Sequence, residues 1–402
     1  MLPNQNTRLA ILFHRIGPMH DARLLSAAQL GELVAIEFTR VDKTYLWDTI
    51  DDVIGYQRLT VFPTQDSHSI PSRRVRRGVF EALDEVAPDV VAVPGWSDPG
   101  ALAALDWCLQ NGRRAVIMSD STAYDYPRTW WKETVKSRIV RTCSAALVGG
   151  APHIEYAIQL GVPRDHIFTK YDVVDNKYFY EAVKQVKANR VEWRNKLRLS
   201  RPFFLASSRF IEKKNIFRLL EAYAAYAEQS EVVPRDLVLL GDGPLRDQVQ
   251  QEIIELDLLD KIVTPGFIQY GELPSYYGLA DAFIHASTTE QWGLVVNEAM
   301  ASGLPVLVSN RCGCARDLVK EGMNGFTFDP YDVHSLTRLM GKLSNPDINL
   351  TRMGARSLKI IADYSPEGFA SNLWKAVDLA MEAPRPVPKI GDRSLLWALG
   401  TM

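Results

Sequence analysis

The chain has 402 residues, of which 47% are hydrophobic and 23% are charged, and its formal net charge is −2. This composition is typical of a globular protein and excludes a disordered chain, and the length suits two ordinary domains better than one. The small net charge gives no general affinity for polyanions, and the sequence has no zinc-ligand spacing, basic arm or aromatic-basic repeat. Nucleic acid is therefore not an expected partner.

The four cysteines are few and scattered, which fits a reducing compartment. The sequence shows no signal-peptide pattern and no apolar run long enough to span a bilayer. These features predict a cytoplasmic location. The apolar tail Ser394–Gly400 is predicted to dock on the first domain, and peripheral contact with the inner face of a membrane is the alternative.

The first half of the chain alternates short apolar runs with helical patterns, which is typical of βαβ units and a parallel sheet. The turn after the first strand contains Gly17 but lacks the Gly-x-Gly-x-x-Gly fingerprint, which argues against a nicotinamide enzyme. Residues 39–70 are predicted to be irregular. The predicted strands of this Rossmann-like domain, residues 1–180, are Leu9–Phe13, Leu33–Phe38, Asp89–Val93, Ala115–Met118 and Ala145–Val148.

A charged helix over residues 181–200 is the predicted linker to a second Rossmann-like domain, residues 201–365. Residues 366–402 are predicted to form a helix and tail that return to the first domain. The fold class is therefore α/β, with two doubly wound domains that face a cleft. The predicted strands of the second domain are Pro202–Ser207, Leu237–Leu240, Ile262–Phe267, Ala282–Ala286 and Val306–Ser309.

The most informative stretch is Ser287–Pro305, between a buried strand and a predicted helix that begins at Leu294. Glu290 lies in the turn and Glu298 lies one to two turns into the helix. The residues between them, Trp292, Gly293, Leu294 and Val295, place backbone N–H groups at a helix N-terminus, where such groups attract anions. Carboxylates only accept hydrogen bonds, so their partners are hydroxyls and cations. A phosphate group attached to many hydroxyls is the chemistry of a nucleotide sugar.

Glu290-x7-Glu298, followed by Ala299–Val306 and Gly322–Pro330, resembles the motif of retaining glycosyltransferases with the GT-B fold, glycosyltransferase family 4 (group 1). The resemblance covers nearly the whole second domain through specific motifs and the first domain through its layout. Two segments depart from the family pattern. Asp172-Val173 stands where relatives commonly have Asn-Gly, and Arg311–Asp317 replaces the commoner Gly-Gly-x-x-Glu.

The resemblance implies a catalytic set of Arg209, Lys214 and Glu290. The two cations would hold the donor diphosphate and stabilise charge on the leaving phosphate, with Lys213 as a second candidate, and Glu290 would hold a hydroxyl of the donor sugar. Glu298 would accept from the ribose hydroxyls. The remaining donor-binding candidates are Gly17, Gly241, Gly266, Phe267, Trp292, Gly293, Leu294 and Val295.

The acceptor is expected beside the loops that follow the strands of the first domain, because such loops form the binding crevice of a parallel sheet. Asp120, Asp125 and Arg128 follow one of these strands, and His14 follows another. For Asp120 the alternative is a helix N-cap before Trp130. Further candidates for the acceptor groove, by position alone, are Tyr45, Trp47, Asp48 and Tyr56.

The expected reaction is transfer of a sugar from a UDP-, GDP- or ADP-sugar to a hydroxyl of a glycan, glycolipid or small molecule, with retention of configuration. No cofactor or metal is expected, since the cations can supply the charge. Two alternatives remain: a sugar-nucleotide epimerase or phosphorylase of the same fold, and a non-catalytic subunit that binds nucleotide sugars. The sequence does not name the donor base, the sugar, the acceptor or the oligomeric state.

Overall fold

The computed structural model describes residues 7–41, 47, 50, 55–66, 69–230 and 233–401. The chain divides into two compact units. Unit 1 comprises residues 1–173 and 365–402, and unit 2 is the continuous segment 174–364. Unit 1 is therefore assembled from two separate parts of the sequence.

Unit 1 is built on a parallel sheet that has seven strands in the described part of the chain, in the order β3-β2-β1-β4-β5-β6-β7. The strands are β1 Leu9–Phe13, β2 Leu33–Val41, β3 Gln57–Asp66, β4 Val90–Pro94, β5 Arg114–Ser119, β6 Ala145–Val148 and β7 Ile167–Phe168. The helices are α1 Pro18–Ala28, α2 Ser72–Val86, α3 Pro99–Asn111, α4 Trp130–Val140, α5 Ala151–Gln159, α15 Pro366–Glu382 and α16 Asp392–Leu399.

Unit 2 has a parallel sheet with six described strands, in the order β10-β9-β8-β11-β12-β13. The strands are β8 Phe203–Ser207, β9 Asp236–Leu240, β10 Ile262–Gly266, β11 Ala282–His285, β12 Val306–Ser309 and β13 Gly325–Phe328. The helices are α6 Asn176–Ala188, α7 Arg190–Leu197, α8 Ile216–Gln229, α9 Arg246–Glu255, α10 Leu273–Leu279, α11 Leu294–Ala301, α12 Ala315–Leu318, α13 Val333–Ser344 and α14 Leu350–Ile361.

The central strands are buried along their whole length, as β1 and β11 illustrate. Helices cover both faces of a doubly wound parallel sheet, so its strands are continuous apolar runs rather than alternating ones. The strand order reverses between β1 and β4 in unit 1 and between β8 and β11 in unit 2. Loops that leave the carboxyl ends of such neighbouring strands open a crevice where ligands bind in this architecture.

Helix α15 completes the core of unit 1. The ring of Trp374 is buried and its indole N–H donates to the carbonyl of Ala27 at 2.8 Å. A Cβ atom on Gly31 would lie 2.6 Å from the Trp374 ring, so the glycine leaves the space that the indole fills. The tail also packs in unit 1, where the Arg138 guanidinium binds Asp392 of α16 at 2.6 Å.

The prediction that residues 39–70 are irregular is wrong, because β2 runs to Val41 and β3 spans Gln57–Asp66. Strand β3 lies at the sheet edge, is only partly buried and contains Pro63. An edge strand tolerates proline and polar residues, so the segment lacked the apolar run that identifies a buried strand.

The predicted single helix over 181–200 is also wrong, because α6 ends at Ala188 and α7 begins at Arg190. Asn189 separates the two helices with φ −115° and ψ 35°, outside the helical region. Among the described residues, no helix is long and apolar enough to cross a membrane.

Candidate functional site

The loops after β8 and β11 lie side by side at the carboxyl edge of the unit 2 sheet, because these two strands pair directly. The first loop carries Lys213 and Lys214, and the second carries Glu290. The N–H of Thr288 donates to the carbonyl of Lys213 at 2.9 Å, which ties the two loops together. The sheet topology thus brings residues 76 positions apart in sequence into one cluster.

Lys214 is held in place by the turn in which it lies. It ends a 3₁₀ turn, Glu212–Lys214, and Asn215 follows in the left-handed conformation with φ +59°. The buried amide of Asn215 donates to the carbonyls of Ala286 at 3.1 Å and Pro330 at 2.7 Å. Asparagine tolerates this conformation and satisfies both carbonyls, so the turn aims the Lys214 ammonium at the neighbouring loop.

Glu290 is the centre of the cluster. Its Oε2 accepts a hydrogen bond from the Lys214 ammonium and lies 3.4 Å from His285 Nε2 and 3.3 Å from Ser287 Oγ. Burial alone would raise the pKa of Glu290, but the His285 hydrogen bond and the Lys214 charge outweigh it and hold that pKa well below its usual range. Glu290 is therefore an ionised acceptor at neutral pH.

His285 and Lys213 complete the surroundings of this carboxylate. Burial lowers the pKa of His285, although its bond to Glu290 acts in the opposite direction. The side chain of Lys214 is only 14% exposed, whereas that of Lys213 is 39% exposed and its ammonium lies 4.0 Å from Glu290. The two lysines thus differ in burial and in contact, which makes Lys213 a matched comparison for Lys214.

The N-terminus of α11 adjoins Glu290. Gly293 is the N-cap residue, with φ +106°, a conformation that favours glycine. The helix then begins at Leu294, and the first-turn N–H groups of Leu294 and Val295 have no carbonyl partner within the helix. Trp292 is buried, with its indole N–H bonded to Asn297 Oδ1 at 2.9 Å. The indole therefore anchors the turn, while the first turn of the helix supplies donors for an anion.

Glu298 lies further along α11 and is buried. Its Oε2 accepts a hydrogen bond from the Tyr277 hydroxyl at 2.8 Å. Burial raises the pKa of Glu298 to about 7, and the Tyr277 hydrogen bond acts in the opposite direction. The two glutamates of the motif therefore differ: Glu290 is ionised beside a lysine, and Glu298 titrates near neutrality beside a phenol.

Gly241 and Gly266 lie at the ends of β9 and β10, and the N–H of Gly241 donates to the Gly266 carbonyl at 2.8 Å. A Cβ atom on Gly241 would lie 1.8 Å from the Ser208 carbonyl oxygen, and φ there is +128°. The glycine thus lets two loops of the protein approach each other. Phe267 follows Gly266 and is half-buried, while Arg209 lies exposed in the loop after β8.

Gly17 caps α1 of unit 1 in an ordinary extended conformation, with φ −113° and ψ −179°. Its N–H donates to Nδ1 of His20 at 3.2 Å. Burial and the nearby Arg23 charge lower the pKa of His20 to about 3, so this histidine is neutral and can accept. His14 lies in the same loop, with its Nδ1 3.6 Å from Asp98 of the loop after β4.

The three acceptor candidates after β5 have different surroundings. Asp125 is buried and accepts from both the N–H and the hydroxyl of Thr122, and Arg128 donates to the carbonyl of Ala123 at 3.0 Å. Asp120 is half-buried and interacts with Asp172, whose pKa burial and this neighbouring charge raise to about 8. The N-cap alternative for Asp120 is wrong, because the N-cap of α4 is Thr129.

The four groove candidates of the 39–70 segment also have different surroundings, and two of them are not described by the structure. Tyr45 and Asp48 lie outside the described residues. The carbonyl of Trp47 accepts from Arg15 at 2.7 Å, and the hydroxyl of Tyr56 donates to Asp21 at 2.8 Å. Burial and the Asp21 bond raise the pKa of Tyr56 above its usual range.

Sequence reasoning missed three members of the unit 2 site: His285, Ser287 and Tyr277. A signal existed for the first two, because His285 ends a buried strand two residues before Ser287, and a residue at the end of a central strand lies at the sheet edge. For Tyr277 no local signal existed. Its contact with Glu298 joins positions 21 residues apart on two helices.

The sequence matches the family described as "Glycosyl transferases group 1" over residues 189–359. Residues 189–359 are thus similar to a group 1 glycosyltransferase domain. The resemblance found in the Glu290–Glu298 motif is thereby confirmed. The matched residues lie within unit 2, which holds the Lys214–Glu290 cluster.

Two curated relatives extend this finding. The chain is 30% identical over 188 residues to the alpha-monoglucosyldiacylglycerol synthase of Streptococcus pneumoniae, a match that covers 46% of this chain and 42% of that protein. It is 26% identical over 272 residues to the mannosylfructose-phosphate synthase of Agrobacterium fabrum, covering 62% and 56%. The chain therefore spans about half the length of the curated relatives it matches.

Solved structures match over nearly the whole chain. The sucrose-phosphate synthase of Thermosynechococcus elongatus has a TM-score of 0.72 at 17% identity, covering 94% of this chain and 100% of that one. Anabaena HepE, solved in complex with UDP and glucose, has a TM-score of 0.69 at 17% identity, covering 92% and 99%. The predicted fold class, two Rossmann-like α/β domains of the GT-B type, is confirmed.

Proposed function

We propose that this protein is a cytoplasmic retaining glycosyltransferase that moves a hexosyl group from a nucleoside diphosphate sugar to an acceptor hydroxyl. The observation that carries the proposal is the contact between Lys214 and Glu290 at the carboxyl ends of β8 and β11. It places a buried cation, an ionised carboxylate and a helix N-terminus together within the residues that match the group 1 glycosyltransferase family.

In the proposed reaction the bond between the anomeric carbon and the diphosphate oxygen breaks, and that oxygen keeps the electron pair. The acceptor oxygen forms a new bond to the anomeric carbon on the same face and loses its proton to the departing phosphate. Negative charge therefore grows on the diphosphate. Lys214, Arg209 and the N–H groups of Gly293, Leu294 and Val295 stabilise that charge in this proposal.

Glu290 has two roles in this proposal. As an ionised carboxylate it can only accept, so a hydroxyl of the donor sugar is its natural ligand. Its bond to Lys214 also keeps the ammonium oriented before the donor arrives. Glu298, when ionised, accepts from the ribose hydroxyls, and its raised pKa makes this contact depend on pH near neutrality.

For the donor we favour a UDP-sugar, because Anabaena HepE was solved with UDP and with UDP-glucose. GDP- and ADP-sugars are the donors to compare with it.

For the acceptor, the curated relatives include a diacylglycerol glycolipid synthase and a sugar-phosphate synthase, so lipid and phosphorylated-sugar hydroxyls are the first classes to test. We place Asp120 and His14 on the acceptor side. The proposed transfer needs no divalent metal: full loss of turnover in EDTA that Mg²⁺ restores would contradict this part.

The deciding experiment measures nucleotide release from UDP-, GDP- and ADP-sugars by wild type, Lys214→Ala and Lys213→Ala. Release from one donor that Lys214→Ala abolishes and Lys213→Ala largely retains would support the proposal. Binding of a donor without release, in the presence of lipid and sugar-phosphate acceptors, would favour a non-catalytic subunit. Sugar release that requires inorganic phosphate, or formation of an epimer, would favour the phosphorylase or epimerase alternative.

A further inference from the structure

Helix α4 of unit 1 presents aromatic side chains that the fold does not use. Trp130 and Trp131 are 82% and 53% exposed, and Tyr126 in the loop before them is 67% exposed. Tryptophan is usually well buried in soluble proteins. Three adjacent exposed aromatics therefore point to a surface that is covered when the protein acts.

The helix that carries these side chains is firmly held. The Tyr156 hydroxyl donates to Glu133 at 2.7 Å, and Lys136 donates to the Tyr156 hydroxyl at 3.1 Å. The hydroxyl of Ser137 donates to the Leu160 carbonyl at 2.7 Å. These partly buried contacts fix the rotation of α4 about its axis, so the exposure of its first turn is a property of the fold.

The surroundings of the aromatics are positively charged. Between residues 125 and 141 five cations stand against two carboxylates, although the whole chain has a net charge of −2. Arg128 and Lys136 lie beside Glu133, and Asp392 neutralises Arg138. The Lys132 ammonium lies over the Trp131 ring, 5.4 Å from its centroid. Cationic and aromatic groups are thus interleaved on one helix.

The tail segment 385–390 adds to this surface. Arg138 in the last turn of α4 donates to the carbonyl of Ile390 at 3.3 Å, which places residue 390 about two turns along the helix from Trp131. The side chains of Val387 and Ile390 are almost fully exposed, and Arg385 and Lys389 lie between and beside them. We call the combination of Tyr126, Trp130, Trp131, Lys132 and the segment 385–390 the aromatic-basic surface.

We propose that the aromatic-basic surface docks on an anionic lipid bilayer. Tryptophan and tyrosine favour the headgroup region, where the ring is buried and the polar edge remains hydrated. Lysine and arginine beside them are attracted to the negative potential of anionic lipids. A second copy of this chain fits less well, since the same surface would bring its surplus positive charge against itself. The inference does not depend on the proposed reaction, because no side chain of this surface has a role in that reaction, although Tyr126 shares the loop after β5 with Asp120.

The test measures binding of the full chain to vesicles of phosphatidylcholine alone and of phosphatidylcholine mixed with phosphatidylglycerol. We expect binding only to the anionic vesicles, with Trp130 and Trp131 fluorescence quenched by brominated lipid. Trp130→Ala combined with Trp131→Ala should lower the partition coefficient at least about tenfold. Lys132→Glu should weaken binding at low salt and have less effect at high salt.

The matched control is Tyr180→Ala, which removes an exposed aromatic from unit 2 and should leave vesicle binding unchanged. Thermal unfolding confirms that each variant folds, and nucleotide release in the absence of lipid should remain within about twofold of wild type. No binding to anionic vesicles, or binding that the tryptophan variant retains, overturns the proposal. The membrane proposal is also overturned if sedimentation shows a dimer for wild type and a monomer for the double tryptophan variant. Since this assay contains no sugar donor, its failure leaves the proposed transfer untouched.

Discussion

Charged residues follow the central strands of both units, but they serve different purposes. In unit 2, Lys214 and Glu290 leave neighbouring strands and contact each other across two loops. In unit 1, Asp125 and Arg128 leave one strand and bind the backbone of their own loop. The charges of unit 2 are therefore held by a neighbouring loop, whereas those of unit 1 are held by their own loop, and only the first arrangement brings distant parts of the sequence together.

The largest expected effect is on catalysis by unit 2. Lys214→Ala should lower turnover by about 10²–10³, the usual result of removing one stabiliser of developing negative charge. Lys213→Ala, which removes a more exposed ammonium, should cost less than about tenfold. Steady-state kinetics with the preferred donor provide the measurement. Equal losses in the two variants would show that the buried contact with Glu290 has no special role.

The next largest effect is on stability, and it compares Gly241, which the fold requires to be glycine, with Gly17, which it does not. Gly241→Ala should reduce the free energy of unfolding by about 3 kcal/mol, because φ is +128° and the new Cβ would meet the Ser208 carbonyl. Gly17→Ala should cost less than about 1 kcal/mol, since among the described residues its Cβ would have one neighbour within 4 Å, His20 Nδ1 at 3.8 Å. Denaturant unfolding measures both. If Gly17→Ala unfolds normally but loses donor affinity, its predicted place near the diphosphate gains support.

Asp125 and Asp120 provide the corresponding pair in unit 1. Asp125→Asn should cost about 2 kcal/mol of stability, because the buried carboxylate accepts two hydrogen bonds from Thr122. Asp120→Asn should leave stability nearly unchanged and raise the acceptor KM. Thermal unfolding together with acceptor titration separates the two effects. An unchanged acceptor KM in a folded Asp120→Asn variant would remove this residue from the proposed acceptor site.

The smallest expected effect concerns pH. Since burial raises the pKa of Glu298 from near 4.5 to about 7, the folded state keeps a proton in that interval that the unfolded state releases. The contribution of this group to stability is therefore full below pH 4.5, falls as the pH rises, and levels off above about pH 7. Asp172, with a raised pKa of about 8, adds a similar dependence of stability on pH. A substitution of Glu298 leaves that contribution in place.

Glu298→Gln should reduce the dependence of the free energy of unfolding on pH. Denaturant unfolding between pH 4 and pH 8 measures the difference from wild type. In wild type the donor KM should fall as the pH rises through about 7, because in the proposed donor complex the ionised Glu298 carboxylate is the acceptor for the ribose hydroxyls. The variant should show a KM about tenfold higher at pH 8 and little pH dependence. A pH profile shared by both proteins would separate Glu298 from donor binding.

The fold was largely predictable because buried parallel strands are short, continuous apolar runs, as in β1 and β11. The exceptions have physical reasons. Strand β3 lies at an edge and does not need such a run, and Asn189 interrupts a charged segment whose composition favours a helix throughout. Local sequence patterns predict buried strands well, but they predict poorly the strands at a sheet edge and the single residues that interrupt a helix.

The sequence could nominate candidate site residues where they lie close together or form a known motif, as with Glu290 and the turn that ends at Gly293, and their roles stay predictions. The contact of Tyr277 could not be predicted, because it depends on how α10 is placed against α11. The state of each glutamate was likewise out of reach. Sequence alone assigns Glu290 and Glu298 the same chemistry, and only their neighbours separate an ionised carboxylate from one that titrates near pH 7.

The return of the chain to unit 1 through α15 has a consequence for biosynthesis. Residues 174–364 are contiguous and can fold as soon as they leave the ribosome, whereas unit 1 must wait for Trp374 to be translated before Ala27 and Gly31 are covered. The first segment to be made is thus the last to be completed. During that interval its apolar surface is open to chaperones and to misassociation, and a premature stop after residue 364 would make that exposure permanent.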